Sequence, residues 1–454
     1  MFILCDDLGY GDLGSFGHPT IETPNIDKLA SAGLKLTNYY AAAPVCSPSR
    51  VGYLTGRNPN KAGVYDFISG VNKSEDCRDL VHMQKSEHTI PEMLKSAGYA
   101  TAIMGKWHCN SKFNSAAQPQ PNNFGFDYWF ATANNATPSH ENPVNFVRNG
   151  VAVGEIKGFS CQIVMDEALG WLDKKTDKKP YYLQICFHEP HESISSPKDL
   201  VQKYLPKSIN ENQAQFFASV ENADRAVGRL MSYLEKNKVE NTIIIFTSDN
   251  GPETLNRTSK SFRSYGSTDD LKGHKLWTNE GGIRVPAIIY WKGKQNFKGT
   301  SDAVVSALDF FPTFGELTGA KLPNVGLDGE SISSLIKTGN YNRKKPLIWS
   351  FYNALNQEMV AMRFGDWKIL ARLKNENKYL PQFENIYSGN WELVKNAKLT
   401  DFELYNIKMD RIEKFEVSKA NKEVFEDMKT RLAKEYNALL SESFVWSRTT
   451  GKAE

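Results

Sequence analysis

Short apolar, β-branched runs alternate with stretches of helical periodicity along most of the chain, the pattern of an α/β fold built on a largely parallel sheet. Phe2–Cys5 and segments 99–104, 181–187, 242–247 and 287–291 read as strands. Segment 23–33 reads as a helix, with Thr23 as its cap, Pro24 at the first helical position and Gly33 at its stop. A longer 3.6-residue apolar repeat runs through 213–236. The Asn-, Pro- and Gln-rich segment 109–150 is expected to be a long excursion near the ligand-binding edge of the sheet. Polar, turn-rich residues at 335–345 predict a boundary, so that a domain of residues 1–340 precedes a subdomain of residues 341–454. Beyond it, 346–351, 359–364 and 367–372 resemble strands of a small antiparallel sheet, and 420–440 reads as a helix. The expected fold class is α/β: a large mixed, mostly parallel sheet sandwiched by helices, with a small C-terminal α+β subdomain.

Composition narrows the partners. The 454 residues are 40% hydrophobic and 12% aromatic, enough for a sizeable core. The net charge of +3, with both signs interspersed, carries no nucleic-acid footprint but leaves room for a local basic pocket. No apolar run approaches the roughly 20 residues of a transmembrane helix. Cysteines at 5, 46, 77, 109, 161 and 186 lack CxxC spacing, which fits neither a zinc site nor a dense disulfide framework. Met1 opens directly into Phe2–Cys5, a first strand so short that upstream residues are expected to be missing from the numbered chain. The lack of a leader therefore carries little weight for location.

Chemistry gathers where these strands end. The first runs into Asp6 and Asp7, the second into Gly105, Lys106, Trp107 and His108, the third into His188 and His191, and the fourth into Asp249 and Asn250. In an open parallel sheet that edge is where ligands bind. Asp6, Asp7, Asp249 and Asn250 offer only hard oxygens, and three carboxylates together repel unless a cation sits among them. Such a set favours calcium or magnesium over zinc, although either pair alone also fits a tight turn or a helix cap. Arg50, Lys106, His108, His188, His191 and Lys275 would complete a pocket for a tetrahedral oxyanion ester. Residues 46–57 add Cys46 ahead of Pro48 and Arg50. Pro48 suits the first turn of a helix, whose N-terminus aims N–H groups at an anion. Alone, this pattern fits an activated thiolate or a buried cysteine.

Together these residues resemble the type I sulfatases of the alkaline phosphatase superfamily. The resemblance covers nearly the whole chain and is carried by residues 6–14, 23–27, 46–56, 105–108, 249–251 and 280–286. Later matches at 365–368 and 403–405 fall in the family's C-terminal subdomain. The Cys-x-Pro-Ser-Arg segment followed by Thr-Gly is the family's modification signal. The resemblance implies that Cys46 is converted to Cα-formylglycine by a formylglycine-generating or anaerobic sulfatase-maturing enzyme. The hydrated aldehyde then attacks sulfur, forming a covalent sulfo-enzyme intermediate that releases inorganic sulfate. It implies that Asp6, Asp7, Asp249 and Asn250 hold Ca2+ in contact with the group made from Cys46, with Mg2+ the second choice. Arg50 and Lys106 would stabilise the nucleophile, His108 would take its proton, and Lys106 and Lys275 would bind sulfate. Alignment to the family's Pro-His pattern makes His191 the proton donor at the bridging oxygen. His188 then becomes a pocket residue gripping the sugar, or a histidine bonded to a neighbouring backbone group. Cys5 departs from the small residue usual before the paired aspartates, and the short first strand would support Asp6 and Asp7 less firmly than usual.

The resemblance further implies a sulfated carbohydrate as substrate. Around 187–192 it points to an exo-acting enzyme on galactose-type residues. Trp107, Tyr352 and Trp367 would either stack on sugar or fill core. A formylglycine-dependent phosphodiesterase or phosphonate monoester hydrolase is the alternative within hydrolysis, but those relatives favour manganese or zinc in a more histidine-rich site. A non-catalytic glycan-binding protein on the same scaffold is the alternative outside it, opposed by the intact Cys46, Arg50, Lys106, His108 and Lys275. By analogy with exported carbohydrate sulfatases, a periplasmic or extracellular location is expected.

Overall fold

The computed structural model describes residues 1–70, 74–175, 177, 179–294, 298–376 and 378–449. Its first half runs β1 (Phe2–Cys5), α1 (Pro24–Ala32), β2 (Leu34–Tyr40), α2 (Cys46–Thr55), α3 (Ile90–Ser96), β3 (Ala100–Lys106), β4 (Tyr128–Thr132), β5 (Val147–Arg148) and β6 (Val151–Ala152). It continues with α4 (Ser160–Lys174), β7 (Tyr181–Cys186), α5 (Lys198–Tyr204), α6 (Glu211–Lys236), β8 (Thr242–Ser248), β9 (Ala287–Lys292) and β10 (Gly299–Ser306). Among the described residues these strands form a ten-stranded sheet in the order β10-β2-β9-β8-β1-β7-β3-β4-β5-β6.

β1 lies between β7 and β8 and runs parallel to both. Its four residues are buried on both faces, which is why the strand reads as an unbroken apolar run. Phe2 and Leu4 belong to the core on one face of the sheet, and Ile3 and Cys5 to the core on the other. α1, α4 and α6 cover the second of these faces, while α2 and α3 cover the first.

Local chemistry explains the helix starts. Asn210 caps α6 by accepting the Gln213 N–H at 2.9 Å. Thr23 precedes α1 as expected, but its hydroxyl donates to Asp27 instead of capping. Asp224 of α6 takes over, accepting the Asn25 and Ile26 N–H groups at 3.3 and 2.7 Å. Gly105, at φ 102°, is required because a Cβ there would stand 1.8 Å from the Cys186 carbonyl oxygen on β7.

The sheet also holds strands that periodicity does not reveal. β9 is antiparallel to both β8 and β2, and β2 and β10 are additional strands. The 109–150 excursion contains β4 and β5, with β4 extending the parallel ladder from β3.

Beyond residue 340, β11 (Leu347–Ser350), β12 (Val360–Phe364), β13 (Trp367–Asn375), β14 (Lys378–Tyr379) and β15 (Lys398–Asn406) form an antiparallel sheet, packed by the helix Lys422–Glu442. One apolar core runs from Phe2 and Leu36 through Phe310 to Met362, Ile369 and Leu432, joining the two sheets. A buried ionic cluster sits at the same junction. Lys368 on β13 pairs with Glu280 and Glu413, each at 3.0 Å, and Glu280 also accepts Tyr40 Oη at 2.7 Å and Arg284 at 3.2 Å. Burial works against an ionised Glu280, but Lys368, Arg284 and Arg363 outweigh it and bring its pKa down to about 2. Removing one partner from such a cluster leaves an uncompensated buried charge. Lys368→Ala is therefore expected to cost about 3–5 kcal/mol, read as a lower thermal unfolding midpoint; a loss under about 1 kcal/mol would contradict this account.

Candidate active site

The site is assembled at the carboxyl ends of the central strands. Asp6 donates its N–H to the Glu189 carbonyl at 3.2 Å, and Asp249 donates to the Cys5 carbonyl at 3.2 Å, so the loops after β7 and β8 grip the end of β1 from either side. Leu8 N–H reaches Ser248 Oγ at 2.9 Å, and Asp7 N–H reaches Asp249 Oδ1 at 3.2 Å. Asp7 adopts φ 60°, a conformation in which Asp is tolerated, and this bend brings two consecutive carboxylates to one place.

α2 delivers the next two groups. It starts at Cys46, two residues before Pro48, after the extended residue Val45, and ends at Gly56 with φ 66°. Pro48 is therefore its third residue, still within the first turn where a missing N–H costs nothing. Cys46 and Arg50 are four apart and share one face. Cys46 Sγ lies 3.4 Å from Asp6 Oδ1 and 3.9 Å from Asp7 Oδ1. Arg50 sends Nε and Nη2 to Asp249 Oδ2 at 3.0 and 2.7 Å, and Nη1 to the Lys106 carbonyl at 3.2 Å. One side chain thus ties α2 to the ends of both β3 and β8.

Two lysines close the charge balance. Lys106, the last residue of β3 and not part of the loop after it, donates to Asp6 Oδ2 at 2.6 Å. Lys275 donates to Asp7 Oδ2 at 2.8 Å. Burial opposes ionisation of Asp6, but Lys106, His191, Arg50 and Lys275 together hold it well below the usual carboxylate range. Burial pushes Asp7 up to about 6, against the pull of Lys275. Burial and the neighbouring Asp6 push Asp249 up to about 7, against Arg50. The Cys46 thiol is driven well above its ordinary value, first by burial and then by Asp6.

The carboxylate and amide oxygens here fit a hard cation, which the thiol and imidazole beside them would not select. Asp6, Asp7, Cys46 and His191 each present a ligand atom within 4.8 Å of the others. Asn250 adjoins them through Nδ2, which donates to Asp7 Oδ1 at 2.7 Å, while its Oδ1 is buried with no hydrogen-bond partner among the described residues. A buried carbonyl oxygen left without a donor is what a cation would satisfy. Asp249 lies beside this group, turned towards Arg50 through Oδ2.

The histidines separate by their partners. His191 hydrogen-bonds the Glu192 carbonyl through Nδ1 at 2.6 Å, so Nδ1 carries a proton and Nε2 is left 3.5 Å from Asp7 Oδ2. His108 likewise engages the Ile68 carbonyl through Nε2 at 3.0 Å, leaving Nδ1 without a partner. His188 is buried, hydrogen-bonded to Thr132 Oγ1 at 2.8 Å, with Phe146 edge-on to its ring. It is thus held by a side-chain hydroxyl, with no backbone hydrogen bond among the described residues. Trp107 and Tyr352 are core residues at 1% exposure.

Three acidic residues complete the surroundings without a sequence signal to mark them. Glu253 clamps Arg257 through two 2.7 Å bonds and stands 4.0 Å from Lys275. Glu189 lies under the His191 segment and Asp66 accepts Asn353 Nδ2 at 2.8 Å. Their partners are mostly distant in sequence, so no local spacing points to them.

Residues 1–320 match the model of the Sulfatase family, and residues 273–438 match that of the N-sulphoglucosamine sulphohydrolase C-terminal region. Arylsulfatase A of Homo sapiens is 32% identical over 391 residues, covering 81% of this chain and 73% of its own. N-acetylgalactosamine-6-sulfatase of Rattus norvegicus is 31% identical over 387 residues, covering 81% of this chain and 70% of its own. The crystal structure of Ps i-CgsB in complex with k-i-k-neocarrahexaose superposes with a TM-score of 0.79 at 27% identity, over 99% of this chain and 95% of that one. With strand-end carboxylates, the Cys46–Arg50 helix and the second antiparallel sheet all in place, the chain belongs to the sulfatase family, alkaline phosphatase-like in fold and a sulfuric ester hydrolase in activity.

Proposed function

We propose that the protein removes sulfate from a sulfated carbohydrate, with a formylglycine hydrate made from Cys46 as nucleophile and a calcium ion held by Asp6, Asp7, Asp249 and Asn250. One observation carries the reading: Cys46 opens a helix 3.4 Å from Asp6, inside a pocket where Arg50, Lys106 and Lys275 each meet a buried carboxylate. Hard oxygens and fixed cations suit a sulfate ester and not a soft thiolate. The aldehyde hydrate would supply the oxygen nucleophile, and the cation would draw charge from the ester's oxygens.

The chain's own residues then have defined tasks. Lys106 and Lys275 neutralise the sulfate oxygens, and Arg50 holds Asp249 and the Lys106 carbonyl in register. His108, with Nε2 fixed on the Ile68 carbonyl, offers Nδ1 as the atom that accepts the nucleophile's proton. His191, with Nδ1 fixed on the Glu192 carbonyl, offers Nε2 as the atom that protonates the leaving oxygen. These charges are buried from water, where each is worth more than at the surface.

Similarity to an N-acetylgalactosamine-6-sulfatase and to a protein crystallised with a neocarrahexaose supports a carbohydrate ester on a galactose-type residue, and exo action is part of the same proposal. A maturation enzyme acting on Cys46 and an exported location, periplasmic or extracellular, belong to the same proposal. A phosphodiester or phosphonate substrate would call for a more histidine-rich metal set than the oxygens of Asp6, Asp7, Asp249 and Asn250.

Sulfate release from a panel of sulfated mono- and oligosaccharides tests the substrate. The expected result is turnover of at least one sugar sulfate in calcium, exceeding that of a matched phosphate diester; the reverse order would reject the proposal. Cys46→Ala and His191→Ala should each lose about 10²-fold or more in kcat while the fold survives. Mass spectrometry of the peptide spanning Cys46 should show the aldehyde, and full activity with an intact thiol would sink the mechanism. Calcium should also raise the thermal midpoint of the wild type, by about 2.7 kcal/mol of stability at a hundredfold excess over Kd. Asp7→Asn should lose most of that gain, and an equal calcium shift in both proteins would remove Asp7 from the metal site.

A further inference from the structure

The segment that carries His191 is fastened by two buried groups that the chemistry above does not use. Glu189 is 1% exposed, and its Oε1 accepts Ser160 Oγ at 2.5 Å and the Cys161 N–H at 2.9 Å. These are the first two residues of α4, so the carboxylate rests on the positive end of a fifteen-residue helix. The Glu189 carbonyl meanwhile receives the Asp6 N–H, which links the same residue to the carboxylate cluster. His140 is also 1% exposed, with Nδ1 3.8 Å from Glu189 Oε1. Its backbone N–H donates to the Ser193 carbonyl at 3.2 Å, and its carbonyl accepts the Ser160 N–H at 2.8 Å.

Among the described residues, the His140 ring meets the backbone of His191 without a full hydrogen bond on either nitrogen, and Glu189 Oε2 has no hydrogen-bond partner. Buried polar atoms left in this state are costly and call for a reason. Packing alone supplies none, because apolar side chains would fill the same space at lower cost. A reason appears in what the pair encloses. Glu189 holds the segment two residues before His191, Ser193 holds it two residues after, and both anchors converge on His140 and the start of α4. With its Nδ1 fixed on Glu192, the imidazole of His191 is left little freedom.

We infer that Glu189 and His140 are positioning residues that aim His191 Nε2 at the leaving oxygen. The inference rests on the reading of His191 as proton donor. To donate, His191 must first take up a second proton at Nε2; as the sulfur–oxygen bond breaks, its electron pair goes to the leaving oxygen and that proton follows, leaving His191 neutral with its remaining proton on Nδ1. Such help matters more as the leaving oxygen becomes more basic, so misaim is felt most on poor leaving groups.

Matured enzyme is assayed on 4-nitrophenyl sulfate and on phenyl sulfate, whose leaving oxygen is the more basic. His191→Ala should lose about 10²-fold in kcat on phenyl sulfate and far less on 4-nitrophenyl sulfate. Glu189→Gln and His140→Asn should keep KM, lose about tenfold in kcat on phenyl sulfate and about twofold or less on 4-nitrophenyl sulfate. Equal losses on both esters in the His191 variant would overturn the proton-donor reading and the inference with it. A selective loss in the His191 variant, joined by equal or no losses in the other two, would overturn the inference alone. Should Glu189→Gln fail to fold, His140→Asn decides.

Discussion

Asp6, Asp7 and Asp249 are brought together at the ends of two adjacent strands, each withdrawn from water. Three carboxylates in that position repel one another and lose their hydration, a cost that only close, well-oriented positive charge offsets. Arg50, Lys106 and Lys275 meet this requirement, one per carboxylate. The demand shapes the surrounding chain. α2 must begin early enough to place Cys46 and Arg50 on one face, β3 must run on to Lys106, and the loop holding Lys275 must return to β1. The same arrangement that makes the site foldable prepares it for an anionic substrate and a cation.

The second sheet contributes to this return. Leu355 N–H donates to the Leu276 carbonyl at 3.0 Å, and Thr278 is bonded to Asn356 and to the Glu358 carbonyl. The Lys275 loop is thus braced by residues that lie well beyond residue 340. Arg284 and Glu280, on the same stretch, enter the ionic cluster with Lys368. Charge at the sheet edge and charge at the sheet junction are therefore mechanically connected through residues 275–284.

Much of the site was legible because its groups sit directly after apolar strands, where a parallel sheet exposes its ends. Asp6, Asp7, Asp249 and Asn250 follow that rule, Lys106 ends β3 itself, and the spacing of Cys46 and Arg50 fits one helical face. What escaped has physical causes. β2 interleaves Lys35, Thr37 and Asn38 with its apolar residues, and β10 is mostly polar because among the described residues it is an edge strand bonded to β2 alone. An apolar run such as 287–291 announces a strand but not its direction, and β9 is antiparallel. Pro48 announced the first turn of α2, but its first residue, Cys46, was unmarked because Val45 offers no capping side chain. Spacing could not separate His188 from His191, since the difference lies in Thr132, 56 residues away, and in the Glu192 carbonyl.

Asp7 and Asp249 touch across 242 residues of sequence, and Lys106 meets Asp6 across 100. Contacts of that range are made late and slowly, after loop closure has been paid for. No fragment that stops short of β8 can hold the complete set of oxygens. A cation that needs all four donors thus reports on the finished topology, and its binding would mark the last step of assembly instead of guiding the first.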